Sequence, residues 1–205
     1  MKKLLVIIIL SLCFTTSSRS NDIRDFQIEG MSIGDSLLDF FDKELIEAEK
    51  YNKHSAMYKN NEYVQIGASH KNSYNLKIDS NTYDDLSIIL KTNDDSYKII
   101  SIGGRIFCKD INICKSKKNE IASELKIFFG DNVIIENINK NHAFDPSGDS
   151  KSFSTFFKFK SNDLVQVQIY DWSKKIEDEK KYPDNLKVTI ISAEFLNFLN
   201  NVQYK

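Results

Sequence analysis

Ser36 lies in the run Ile33-Gly34-Asp35-Ser36-Leu37-Leu38-Asp39-Phe40-Phe41, where a serine beside an acid is a candidate nucleophile. Such a serine needs a base to take its proton, commonly a histidine held by a carboxylate. The chain has three histidines, His54, His70 and His142, and none follows an aspartate at the Asp-x-x-His spacing. The residues just before the run, Ile28-Glu29-Gly30-Met31-Ser32, have too few apolar side chains for a buried strand. Ser32 followed by Asp35 instead has the spacing of a capping box, in which a hydroxyl and an acid satisfy the free amides of a helix's first turn. Ile33, Leu37, Phe40 and Phe41 then fall on one helical face. The expectation is a helix start with no catalytic residue.

The tetrapeptide Gly34-Asp35-Ser36-Leu37 nevertheless resembles the name-giving motif of the GDSL hydrolases. The resemblance implies a parallel sheet beneath the serine, a glycine and an asparagine in an oxyanion hole, and a late Asp-x-x-His. This sequence departs from that pattern: its two Asn-Asp turns, Asn93-Asp94 and Asn162-Asp163, have Lys91 and Lys160 where the glycine of Gly-x-Asn-Asp would stand.

Four other places hold side chains that could do chemistry. Asp145 and Asp149 flank Pro146-Ser147-Gly148 and could offer oxygens to calcium, but Pro-Ser-Gly is ordinary turn chemistry and a solvated loop is expected. Tyr170 and Trp172 alternate onto the face of Gln166 and Gln168, opposite Val165, Val167 and Ile169. Aromatics on a polar face suit a binding surface, and a covering helix or loop is the competing reading. Arg105 follows Gly103-Gly104 within a strand pattern, where glycines mark a bulge or a close approach; it would hold an anion or, more simply, a structural carboxylate. Cys108 and Cys114 are six residues apart, and an even pair in an exported chain reads as a disulfide. No P-loop, dinucleotide fold or metal cluster is spelled out, so neither a cofactor nor a metal is expected.

The elements that must position these residues follow from periodicity. Strand-like runs occupy 62–68, 86–91, 97–107, 132–138, 153–160, 164–172 and 186–192, with 86–91 and 97–107 forming a hairpin. A helix is predicted over 112–131, with Cys114, Ile121, Ala122, Leu125, Phe128 and Phe129 on one face and Gly130 at its end. A last helix follows Ser192, and the charged run 173–185 reads as a solvated loop. Leu37-x-x-Phe40-Phe41 is echoed by Leu125-x-x-Phe128-Phe129, and Lys91-Thr92-Asn93-Asp94 by Lys160-Ser161-Asn162-Asp163. The predicted class is α+β: an antiparallel sheet with helices packed on one face, built as a tandem α-β-β-β unit with halves 21–107 and 108–205.

The first twenty residues have Lys2 and Lys3, an apolar run from Leu4 to Leu10, and small polar residues ending at Ser20. That is the pattern of a secretory signal peptide cleaved after Ser20, leaving residues 21–205 as a single domain. Cys13 follows the large Leu12, which argues against acylation there. The whole chain has 28 basic and 29 acidic side chains; without Lys2, Lys3 and Arg19 the balance is 25 to 29, a net charge near −4. Neither nucleic acid nor an anionic membrane surface suits such a balance. The expected location is the periplasm, and an integral membrane protein is not expected.

The stretches Ile28-Glu29-Gly30-Met31-Ser32-Ile33-Gly34, Tyr97–Phe107 and Tyr170-Asp171-Trp172 with Asp184-Asn185-Leu186 look like those of uncharacterised exported proteins of small marine alphaproteobacteria, similar to the Pelagibacter lineage. Gly30-Met31-Ser32 and the repeat are more loosely similar to BamE-like and β-lactamase-inhibitor-protein-like folds. That similarity implies binding of another envelope protein. The leading expectation is an exported, non-enzymatic binding module; the alternatives are a hydrolase using Ser36 and a small-ligand binder. A curved sheet face carrying Tyr170 and Trp172 would favour the first, and helices covering both faces would count against it.

Overall fold

The structure is a computed structural model that describes residues 22–205; the signal-peptide reading and Cys13 lie outside the described residues. Alternating strands build one eight-stranded sheet in which every pair is antiparallel. They are β1 (Ala56–Met57), β2 (Tyr63–Ala68), β3 (Asp85–Lys91), β4 (Ile99–Phe107), β5 (Val133–Asn141), β6 (Lys151–Phe159), β7 (Leu164–Asp171) and β8 (Asn185–Ile191). The spatial order is β1-β2-β3-β4-β8-β7-β6-β5. Two four-stranded meanders thus meet where the last strand of each, β4 and β8, pair along Ser101–Phe107 and Asn185–Ile191.

The pleat divides the strands into two faces. On the inner face Val64, Ile66, Ile88, Val167, Val188 and their neighbours are buried. They are covered by α1 (Lys43–Lys50), by α2 (Ile111–Phe129) and by the segment from Ile23 to Leu37. α2 turns the predicted stripe inward, with Cys114, Leu125 and Phe129 buried. Asp110 caps it by accepting the Asn112 amide at 2.8 Å. Lys118 shares that stripe and is buried too: its ammonium donates to Thr155 Oγ1 at 2.7 Å, and that hydroxyl donates to Asn137 Oδ1 at 2.6 Å. Burial pushes the Lys118 ammonium below the usual lysine range.

Not every helix lies on that face. The last one, α4 (Ala193–Phe198), packs Phe195 and Phe198 against Tyr63, Ile89, Leu164 and Ile191, which alternate onto the opposite side. Those four residues make one end of the outer face apolar, and α4 buries it. Tyr63 donates to Glu194 Oε1 at 2.8 Å and Lys91 pairs with the same carboxylate at 2.5 Å, which fixes the first turn. Ser192 caps it as expected, accepting from the Phe195 amide at 3.3 Å.

Two other expectations are corrected. No α-helix begins at Ser32. Gly34 donates to the Ile99 carbonyl at 2.8 Å, Ile99 to Asp35 at 2.9 Å and Leu37 to Tyr97 at 3.0 Å. The segment is therefore committed to a strip alongside β4, with Gly34 at φ 93° where an L side chain is disfavoured. Only a single 3-10 turn, Leu37–Asp39, follows, and α1 starts at Lys43. Ser32 N donates to Asp35 Oδ2 at 2.8 Å as in a capping box, but its hydroxyl goes to the Phe26 carbonyl at 2.8 Å. The charged run 173–185 likewise is no plain loop. It contains α3 (Lys174–Lys180), which buries Ile176 and pairs Lys174 with Asp178 at 3.1 Å.

Candidate functional site

Tyr170 and Trp172 leave the end of β7 on the outer face, as alternation requires, with ring centroids 5.6 Å apart and planes 8° from parallel. Three rings from elsewhere converge on them. His142 lies 4.4 Å from Trp172 and 5.2 Å from Tyr170; Tyr182 lies 5.5 Å and Phe144 6.3 Å from Trp172. Phe144 and Tyr182 form the solvent-facing rim, 48% and 43% exposed. Trp172 is thus the hub of a five-ring cluster, a geometry in which each edge-to-face or offset pair adds stability beyond burial.

A hydrogen-bonded knot beneath the cluster holds it in place. Asp145 is buried, and its carboxylate accepts from the hydroxyls of Ser147 at 2.7 Å, Ser150 at 2.6 Å and Ser173 at 2.8 Å, and from the Ser147 and Ser150 amides, both at 3.0 Å. Within the Asp145-to-Ser150 turn Pro146, Ser147 and Asp149 are exposed, as expected of a solvated loop, but Asp145 and Ser150 are buried. The Asp145 carboxylate is consumed by serine donors, which hold it well below the usual carboxylate range. Ser150 Oγ accepts the Ser173 amide at 2.9 Å, tying the turn to the residue after Trp172. Asp184 accepts the Trp172 amide at 2.7 Å, and burial raises its pKa. His142 Nδ1 accepts the Phe144 amide at 3.2 Å. Burial, and then Lys140, lower the His142 pKa, so the ring is neutral at pH 7.

From the cluster the outer face runs as a polar strip towards α4. Gln166 and Gln168 of β7 lie beside Thr189 and Lys187 of β8, which face Gly103 and Arg105 of β4. Arg105 is half-exposed and holds the buried Asp85 through two hydrogen bonds at 2.9 and 2.8 Å. It is a structural partner, the simpler of the two expectations. Lys187 lies across Gly103, whose absent side chain would have met its Cε at 2.7 Å. Burial, and then Arg105, push its ammonium down to about 8. Tyr74 fills the corresponding space over Gly67, with His54 stacked 4.8 Å from it. The close approach expected of Gly103-Gly104 is thus a contact with side chains, Lys187 on one face and Tyr83 on the other.

The remaining sequence candidates lie apart from this strip. Ser36 Oγ donates to the Ser96 carbonyl at 2.7 Å and accepts the Leu38 amide at 3.3 Å, so its proton and a lone pair are both used by the backbone. The Cys108 and Cys114 sulfurs are joined, with Cα atoms 5.9 Å apart, where β4 hands over to α2. Among the described residues no group of three or more His, Cys, Asp or Glu side chains is placed to hold a metal ion. No helix among them is long and apolar enough to cross a membrane. Two shallow depressions, about 350 and 220 Å³, open at the surface beside Phe40 and Leu45 and beside Arg24 and Glu194, away from the aromatic cluster.

Sequence reasoning found Tyr170 and Trp172 but missed His142, Phe144, Tyr182 and Lys187. The first three come from two loops far apart in the chain, so no local period links them. Lys187 had a signal: it stands between Leu186 and Val188 in an alternating strand and must share the face of Gln168. Comparison with protein-family models, with curated proteins and with solved structures finds no match to this chain.

Proposed function

We propose that this chain is an exported, non-enzymatic binding module of a bacterial envelope that docks a protein partner on the open end of its outer sheet face, with Trp172 as anchor. The observation that carries the reading is the five-ring cluster held by the Asp145 knot at the edge of a polar strip. A tryptophan with partly exposed aromatic neighbours, fixed before binding, is the composition of an interface hot spot, and prior ordering lowers the entropy cost of docking. α4 packs on the far end of that face, over Tyr63, Ile89, Leu164 and Ile191, and the rim of the cluster at Phe144 and Tyr182 stays exposed.

A periplasmic location fits the Cys108–Cys114 bridge, since such bonds persist in oxidising compartments. The tandem-repeat reading is supported by the element order. Each half runs helix then four antiparallel strands, with α3 and α4 added in the second, and the two final strands pair with each other.

The test is site-specific photo-crosslinking in cells producing the protein. A photoreactive side chain at Tyr182 should give one discrete adduct, lost when Trp172→Ala is added. The same group at Ile127, 80% exposed on α2, should give none. Equal labelling from both positions, or none from Tyr182, would overturn the proposal.

A further inference from the structure

The two edges of the sheet differ. One is β1, two residues long, and short edge strands offer little for another chain to pair with. The other is β5, nine residues from Val133 to Asn141, paired to β6 over its whole length with no register shift. It has no proline and no bulge, two of the devices that blunt an edge, and its charged side chains are Glu136 and Lys140.

The outward groups can be identified. His142 donates to the Ser150 carbonyl at 2.8 Å, and these two residues continue the β5–β6 register. In an antiparallel ladder hydrogen-bonded pairs alternate with non-bonded ones. The even-numbered residues of β5 therefore bond to β6, while Val133, Ile135, Asn137, Asn139 and Asn141 turn their N–H and C=O groups to the free edge. On the outer face β5 carries Ile134, Glu136, Ile138 and Lys140, with Ile134 73% exposed.

That pattern is self-complementary. Placed antiparallel to a second β5 about a two-fold axis through Ile138, Glu136 of one copy falls opposite Lys140 of the other, on both sides of an Ile138–Ile138 contact. In the same register Asn137 faces Asn139, and Ile135 faces Asn141. These outward residues are the ones with free backbone groups, so each pair exchanges two N–H···O bonds. The Glu–Lys and Ile–Ile pairs then occupy non-hydrogen-bonded sites, where opposed side chains are closest.

We infer that β5 is a self-association edge, pairing antiparallel with β5 of a second copy about Ile138 so that one sheet runs through the dimer. A two-fold contact of this kind closes on itself and stops at two copies. Because the other edge is short, growth into a filament is not favoured. Trp172 itself lies on the outer face two strands in from this edge, while His142 of its cluster directly follows β5 and would fall opposite Ile134 of the second copy.

Sedimentation equilibrium of the purified protein, over roughly 1 to 100 μM, tests it. The wild type should show a concentration-dependent doubling of mass. Lys140→Glu sets two Glu–Glu repulsions in the contact and should weaken the dimer by about tenfold. Adding Glu136→Lys in the same chain regenerates both cross-copy pairs and should recover part of the lost affinity, because the new lysine would lie beside Lys158, the partner of Glu136 in the wild type. Asn139→Pro removes an outward N–H, which an edge position tolerates, and should give a folded monomer by circular dichroism. A wild type that stays monomeric throughout would overturn the inference and leave this edge to a strand from a different protein. A dimer unaffected by Lys140→Glu and Asn139→Pro would overturn it equally.

Discussion

Arg105 holds Asp85 side-on from the directly opposed position of the neighbouring strand, its Nε and Nη2 donating to separate carboxylate oxygens at 2.9 and 2.8 Å. Asp85 is buried at 4% exposure, while the guanidinium is partly in water. Removing Arg105 leaves a buried charge without its cation, and Arg105→Ala should cost about 2–3 kcal/mol in urea unfolding, below a fully buried pair because one partner is solvated. Arg105→Lys should recover only part, since an ammonium cannot make the side-on fork. Arg105 is also one of the groups lowering the Lys187 pKa to about 8. In Arg105→Ala that repulsion is gone and Asp85 remains, so the Lys187 titration, followed by NMR of isotope-labelled lysine, should move above 8. An unchanged Lys187 would mean burial alone sets its value.

Gly103 and Gly104 are adjacent, yet substitution should separate them. A Cβ at Gly104 would meet Tyr83 ring carbons at 2.4 and 2.6 Å, so the whole ring must leave. At Gly103 the first obstacle is Cε of Lys187 at 2.7 Å, the far end of a flexible chain, with Thr189 Oγ1 at 2.9 Å. Gly104→Ala should therefore destabilise by about 1–3 kcal/mol through overpacking, and Gly103→Ala by distinctly less. Matched denaturation curves decide it, and equal losses would refute the contrast.

The parts of the fold that were legible are those written by local period. Val165, Val167 and Ile169 alternate with Gln166 and Gln168, so strand β7 and its two faces follow from five residues. Cys114, Leu125 and Phe129 recur on one helical face, and α2 follows. What escaped depends on contacts distant in sequence. Ser32 and Asp35 have helix-capping spacing, but residues 96–99 take up the backbone that a helix would have used. Asp145 looked solvated because one of the hydroxyls that bury its charge, Ser173, lies 28 residues away. Lys118 falls on the apolar stripe of α2, and only Thr155, on another element, explains how an ammonium can stay there. The Trp172 cluster was half legible for the same reason: its strand members share a period, and its loop members do not.

The Cys108–Cys114 bridge spans six residues and joins the end of β4 to the first turns of α2. Loop-closure entropy for so short a ring predicts a contribution of about 2 kcal/mol. Reduction, or Cys108→Ser with Cys114→Ser, should lower stability by that amount while α2 stays helical, because Asp110 caps it independently. Cys114 is fully buried, so the double serine variant also puts a hydroxyl among apolar neighbours. The reduced wild type is therefore the cleaner comparison. Thermal unfolding with and without reductant reads the difference, and coincident curves would show that the bridge adds no stability.

His142 and Trp172 offer a direct readout of the aromatic site. Trp172 is the only tryptophan in the chain, so its fluorescence reports this site alone. The His142 ring is centred 4.4 Å away, and burial holds its pKa below 6.5. Protonating the imidazole puts a cation against the indole and also opposes the Phe144 N–H that Nδ1 now accepts. On lowering the pH, Trp172 emission should fall with an apparent pKa below 6.5, and His142→Gln should abolish that step. The sign for stability follows from the same shift. Between the native pKa and 6.5 the unfolded chain binds more protons, so the stability conferred by neutral His142 is complete above 6.5 and is lost as the pH falls towards the native value. The nearby Asp145 titrates well below this range, which keeps the two events apart. A fluorescence step at or above 6.5, or one that survives His142→Gln, would show that the ring is not buried against Trp172 in solution.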